Sequence, residues 1–327
     1  MIQKNKSIIL WLCLSALLVF AIIIVGGYTR LSHSGLSIVE WKPITGIIPP
    51  LTADAWQVEF SQYQQSPEYK QVNIGMKLEE FKQIFLVEYI HRILGRLIGL
   101  VFFLPFIYFS LSKKITRQEV KYYTVIAFLI GLQGAIGWLM VKSGLVDRPN
   151  VSQYRLALHL MMACIILSLL VWKIFPGCLR KSKYAYISFI LLFLQVASGA
   201  FVAGLHAGLV YNSFPLMDGQ IIPDGLLMMK PWYLNIFENI TMVQFIHRIL
   251  AMINFINLLA YSYKIFKLKN LKPLAVLLVS FVTIQVILGI LTLILQVPLP
   301  LALFHQAMAI ILLITMIVSL KDVKERM

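Results

Sequence analysis

Long apolar stretches alternate with short basic segments and two long polar ones along this chain. Eight stretches, near 8–29, 85–111, 120–142, 152–175, 184–204, 239–265, 272–296 and 299–320, reach the roughly 20 residues that a helix needs to cross a bilayer. They are apolar all round, which marks membrane spans rather than faces of a soluble bundle. The first stretch follows Lys4 and Lys6, as a secretory signal would. It is too long for one, and no small-x-small cleavage site follows. The pattern predicts an all-α integral membrane protein with eight transmembrane helices.

The halves repeat one another. The second span carries Glu88-Tyr89-Ile90-His91-Arg92-Ile93-Leu94 and the sixth Gln244-Phe245-Ile246-His247-Arg248-Ile249-Leu250. Gln133 and Gly137 in the third span match Gln285 and Gly289 in the seventh, and the fourth and eighth spans each hold one early histidine, His159 and His305. The ends of the first and fifth spans match as Gly27–Leu36 against Gly199–Leu209. Four spans per half give both halves the same orientation, a parallel repeat. The expected organisation is two pseudo-symmetric four-helix bundles, 1–178 with a long outer loop 30–84 and 179–327 with an outer loop 205–238.

Composition excludes a soluble fold, because 59% of the 327 residues are hydrophobic and only 13% charged, where average usage is nearer a quarter. The net charge of +15 would suggest nucleic acid if it were spread evenly. Seventeen of the 29 basic residues, however, lie before the first span, after the even-numbered spans or at the end. They include Lys4, Lys6, Lys113, Lys114, Arg180, Lys181, Lys264, Lys324 and Arg326. The positive-inside rule makes that side cytoplasmic, so the charge reports topology and predicts no nucleic-acid partner. Cys13 and Cys164 fall within spans and Cys178 on the basic side, which predicts no structural disulfide. No CxxCH is present for covalent haem attachment.

The candidate chemistry lies in the histidines. His91, His159, His247 and His305 sit six to eight residues into spans that run inward, hence roughly 9–12 Å below the outer boundary. His33 and His206 sit at matching outer ends. A lone histidine in a span can simply bond a neighbouring helix; a duplicated, depth-matched set points to function. Zinc and non-haem iron take three or four ligands with carboxylate or thiolate among them. Two imidazoles per bundle in an apolar surround suit haem better, as the pairs His91–His159 and His247–His305. Arg92 and Arg248 are candidate propionate contacts, or else interfacial side chains that snorkel.

One position breaks the repeat. Glu88, three residues before His91, corresponds to Gln244, so a carboxylate stands one turn outward of the first pair only. It marks the first half as the reacting site, unless Glu88 is merely interfacial. In the long outer loop, Trp56, Phe60 and Tyr63 at helical spacing predict an amphipathic helix on the membrane surface.

With these residues in view, the chain resembles the haem A synthases, in the branch shared by proteobacteria and mitochondria. The resemblance covers nearly the whole length. It is carried by Ser34–Pro50 (SGLSIVEWKPITGIIPP), Pro67–Met76, Glu80-Phe81-Lys82, Glu88–Arg96 (EYIHRILGR), Ala207–Gly219 (AGLVYNSFPLMDG), Gln244–Arg248 and Gln296–Gln306 (QVPLPLALFHQ). It implies haem b as cofactor on His247 and His305, and haem O as substrate between His91 and His159. It also implies Glu88 as the catalytic carboxylate. The implied reaction oxidises the C8 methyl of haem O to a formyl by two hydroxylations through haem I, giving haem A for terminal oxidases. Membrane lipid, an electron acceptor that no residue specifies, and a haem O synthase as neighbouring enzyme are the implied partners. Some family members carry an outer cysteine pair, which this chain lacks. Two rivals stay open: a di-haem b electron-transfer subunit, which leaves Glu88 against Gln244 unexplained, and a transporter, which would need helices broken near mid-membrane. No Arg/Ser-rich segment precedes the first span, which predicts a bacterial inner membrane.

Overall fold

The structure, a computed structural model, describes residues 6–42, 45–146, 149–175, 177–179 and 182–322. Lys4, Arg180, Lys181, Lys324 and Arg326 therefore lie outside the described residues. The membrane helices are α1 (Lys6–Leu31), α4 (Leu78–Leu111), α5 (Arg117–Gly144), α6 (Gln153–Ile174), α7 (Lys183–Gly204), α9 (Ile240–Phe266), α10 (Lys272–Ile294) and α11 (Leu299–Ser319). All eight are long and apolar enough to span a bilayer. Short helices α2 (Ala53–Tyr63), α3 (Pro67–Gln71) and α8 (Asn235–Glu238) lie in the connecting segments, and a two-residue pairing joins β1 (Cys178–Leu179) to β2 (Lys321–Asp322).

Helix ends follow polar caps rather than hydropathy. α4 starts seven residues before the expected position, because Glu80 reaches back to accept a hydrogen bond from the Lys77 N–H at 2.8 Å, and Glu79 pairs with Lys82 at 2.7 Å. α5 opens with a reciprocal box. Thr116 Oγ1 accepts from the Glu119 N–H at 3.2 Å, and Glu119 accepts from the Thr116 N–H at 2.9 Å, which satisfies two otherwise orphaned donors.

The chain divides into two compact units, Met1–Leu167 and Ser168–Met327. In the first, α4 packs against both α1 and α5. Trp11 sits among Phe102, Phe109 and Tyr123 with centroids 5.1–5.5 Å away, and its indole N–H donates to Val101 O at 3.0 Å. The second unit closes on itself: α7 packs on α9, α9 on α10, α10 on α11 and α11 back on α7. Asn257 bonds Ser188 at 2.8 Å and Asn254 bonds Leu191 O at 3.1 Å, the interhelical polar contacts expected in lipid.

The expected amphipathic helix forms as α2. Its apolar face is consumed within the protein, with Tyr63 0% and Phe60 6% exposed. Tyr63 and Phe60 pack on Phe81 at 5.1 Å, and Trp56 on Phe85 at 5.0 Å. Phe81 and Phe85 stand on the first turns of α4 (Leu78–Leu111), and the early start of that helix supplies the surface that α2 packs on.

Candidate functional site

Each of the four span histidines lies close against a glycine of a neighbouring helix. A Cβ built on Gly26 would meet His91 Cε1 at 3.0 Å, and one on Gly137 would meet His159 at 2.9 Å. In the second unit Gly199 meets His247 at 3.3 Å and Gly289 meets His305 at 2.8 Å. This sets the register of the repeat. Gly26, not Gly27, is the counterpart of Gly199, and seven residues on His33 (φ 51°) and His206 (φ 53°) both adopt the left-handed conformation. These two histidines end α1 and α7 as left-handed caps; Ser34 N–H bonding Thr29 O at 2.9 Å closes the first.

Within each unit the histidines come in pairs, His91 within electrostatic reach of His159 and His247 of His305. Nδ1 of His91, His159 and His305 is buried with no hydrogen-bond partner. Glutamines accompany three of the rings. Gln133 Nε2 lies 3.4 Å from His159 Nε2 and donates to His159 O at 3.0 Å, and Gln285 Nε2 lies 3.4 Å from His305 Nε2. Gln195 Nε2 lies 3.1 Å from His247 Nδ1. Gln195 and Ser198 were missed in the sequence, although Gln195 and Gly199 repeat the four-residue spacing of Gln133–Gly137 and Gln285–Gly289. Buried imidazole nitrogens left unpaired, glycine-backed rings and, among the described residues, no cluster of three or more His, Cys, Asp or Glu fit haem. A porphyrin brings its own four equatorial nitrogens and needs only axial ligands.

Glu88 is 3% exposed and fully occupied. Its Oε2 accepts from Ser37 Oγ at 2.7 Å and the Ile38 N–H at 2.9 Å. Its Oε1 accepts from Arg92 Nε at 3.1 Å and Nη2 at 2.7 Å. Arg92 also donates to Ile38 O at 3.0 Å and Glu40 O at 3.4 Å and stacks over Trp41. Glu88 and Arg92 thus clamp residues 37–41 onto α4. Gln244 and Arg248 do the same in the second unit with opposite polarity. Gln244 Nε2 donates to Ala207 O at 2.9 Å and Tyr211 O at 3.2 Å, and Arg248 donates to Tyr211 O at 2.8 Å and Ser213 O at 2.9 Å. Arg248 Nε is buried without a hydrogen-bond partner.

A second buried carboxyl, Glu68, is 4% exposed and was not anticipated. Tyr63 OH donates to it at 3.1 Å, and Asn73 donates to that hydroxyl at 2.7 Å. Burial pushes its pKa from 4.5 up to about 7; the Tyr63 bond opposes this and the Glu88 charge adds to it. A cavity of about 350 Å³ is lined by Lys42, Glu59, Tyr89, Arg92 and Arg96. Lys42 is tied there to Glu59 at 2.8 Å and Glu40 at 3.0 Å, and these bonds hold its pKa above the usual lysine value.

Residues 9–317 match the model of the COX15-CtaA family, described as cytochrome oxidase assembly protein. The chain is 48% identical over 322 residues to a heme A synthase of Wolbachia pipientis subsp. Culex pipiens (strain wPip), covering 95% of this chain and 96% of the relative. It is 47% identical to a heme A synthase of Nitrosospira multiformis, covering 94% and 91%, and 42% identical to one of Ehrlichia canis, covering 94% and 90%.

Proposed function

Because this chain belongs to the COX15-CtaA family of cytochrome oxidase assembly proteins and, within it, to the haem A synthases, we propose that it oxidises the C8 methyl of haem O to the formyl of haem A. The observation that carries this reading is the pair of glycine-backed imidazoles in each unit. His91 and His159 are assigned to substrate haem O, and His247 and His305 to resident haem b. The halves 1–178 and 179–327 are then a substrate half and a cofactor half. Haem b supplies a redox-active iron that can take up electrons.

Each of the two hydroxylations with water gives up an electron pair to the external electron acceptor and releases two protons, first giving the alcohol of haem I and then a gem-diol that loses water. Glu88 works here as a fixed anion. Its four hydrogen bonds occupy the lone pairs a general base would use, while its charge stays available to stabilise an electron-poor carbon. Arg92 holds that charge in place. Arg248, with its unpaired Nε, is the stronger candidate for a propionate contact. The protein is assigned to a bacterial inner membrane with both termini cytoplasmic.

The test is haem extraction and chromatography after supplying haem O. E88Q, similar in shape but uncharged, should retain haem b and lose formyl production about 100-fold; formyl formation at the parent rate would falsify the role given to Glu88. A preparation yielding only haem b, with no hydroxymethyl or formyl product, would favour the electron-transfer reading instead.

A further inference from the structure

The four imidazoles are not held alike. Ser198 Oγ lies 2.8 Å from Gln195 O and 2.8 Å from His247 Nδ1. A hydroxyl has one proton. With it donated to the Gln195 carbonyl, a lone pair faces the ring; in the Nδ1–H tautomer the ring donates to it, and the Gln195 amide nitrogen 3.1 Å from Nδ1 makes no hydrogen bond to that nitrogen. The imidazole's own lone pair then resides on Nε2, the tautomer a metal-binding histidine requires. Gln195 Nε2 also donates to His247 O at 3.2 Å, which ties α7 to the backbone that carries the ring.

The first unit lacks both groups. Counted back from Gly26 as Gln195 and Ser198 are from Gly199, the residues are Ile22 and Val25. Neither side chain can hydrogen-bond, and Ile22 sits in contact range of Gly95 on α4, one turn from His91. His91 Nδ1 is buried with no hydrogen-bond partner, as are those of His159 and His305, whose glutamine contacts are to Nε2. Of the four, only His247 has a partner on Nδ1.

We propose that this asymmetry separates the haem that stays from the haem that passes through: Gln195 and Ser198 make His247 a permanent axial ligand, and Ile22 and Val25 make His91 the ligand that lets go when substrate enters and product leaves. The inference rests on the assignment of haem b to the second half and haem O to the first. A hydrogen-bond partner on the far nitrogen of a ligating histidine is worth about 10–100-fold in affinity, and a ring without one swings aside at no hydrogen-bond cost. Gln195 and Ser198 act through His247, so they are positioning residues.

The experiment follows transfer of haem from the detergent-solubilised, haem-loaded protein to excess apomyoglobin, together with the midpoint potential of the resident haem. In Q195I/S198V, release of haem b should quicken about 10–100-fold and the potential should rise, with the low-spin bis-imidazole spectrum kept. S198T, which retains the hydroxyl, should behave as the parent does. In the reverse exchange, I22Q/V25S should slow release of haem O about tenfold or more. Parent-like release and potential in Q195I/S198V would overturn the proposal, as would unchanged haem O release from I22Q/V25S. A lesion of packing alone would lower haem loading without moving the potential, which also overturns it. H247A is the reference: if it keeps its full haem b, the haem assignment itself is wrong and this inference goes with it.

Discussion

Gly137 and Gly289 decide whether a ring can lie against its neighbouring helix, since an added methyl would stand 2.9 and 2.8 Å from His159 and His305. That is too close, so the ring must move. G289A should lose most of its haem b, read from the absorption spectrum. G131A, with nothing within 4 Å of the new carbon, should be neutral or stabilising by up to about 1 kcal/mol. Glu68 gives a pH signature. Its folded pKa of about 7 exceeds the ordinary 4.5, so the native state binds this proton more tightly than the unfolded state does. The resulting stability is full below pH 4.5 and is lost as pH rises through about 7. Protection from hydrogen exchange over residues 53–77, corrected for the intrinsic rise of exchange with pH, should therefore fall between pH 4.5 and about 7, by a few kcal/mol of local stability, and E68Q should abolish that fall. The histidines and Glu88 were legible in the sequence because ionisable groups are conspicuous in apolar runs. Glu68, Gln195 and Ser198 were not, because their meaning depends on partners that only the fold supplies.

Elements were legible to the extent that apolarity defines them. The eight spans came from hydropathy, but α4 begins where Glu80 caps it, among charged residues that hydropathy counts as loop. The amphipathic pattern of Trp56, Phe60 and Tyr63 gave α2, but spacing reveals an apolar face and not what packs against it. Here the cover is Phe81, 0% exposed. F81A should cost the outer segment about 3–5 kcal/mol and expose 53–77 to protease. The spectrum of the haem b assigned above to His247 and His305 should not change, because that pair lies in the other unit.

For the whole molecule, the basic segments predict which side faces the cytoplasm. In a background with Cys13, Cys164 and Cys178 replaced, a cysteine at Lys114 should be shielded from an impermeant thiol reagent in intact cells, and one at Ile221 (81% exposed) should react. The reverse labelling would invert the assigned topology. The clamp polarity bears on the molecule's engineering. Glu88 faces a backbone N–H and a hydroxyl, whereas Gln244 faces two carbonyls, while Arg92 and Arg248 both donate to the carbonyl of the equivalent residue, Ile38 and Tyr211. Replacing Gln244 by Glu would set a carboxylate against two carbonyl oxygens, so the two clamps cannot be exchanged one residue at a time.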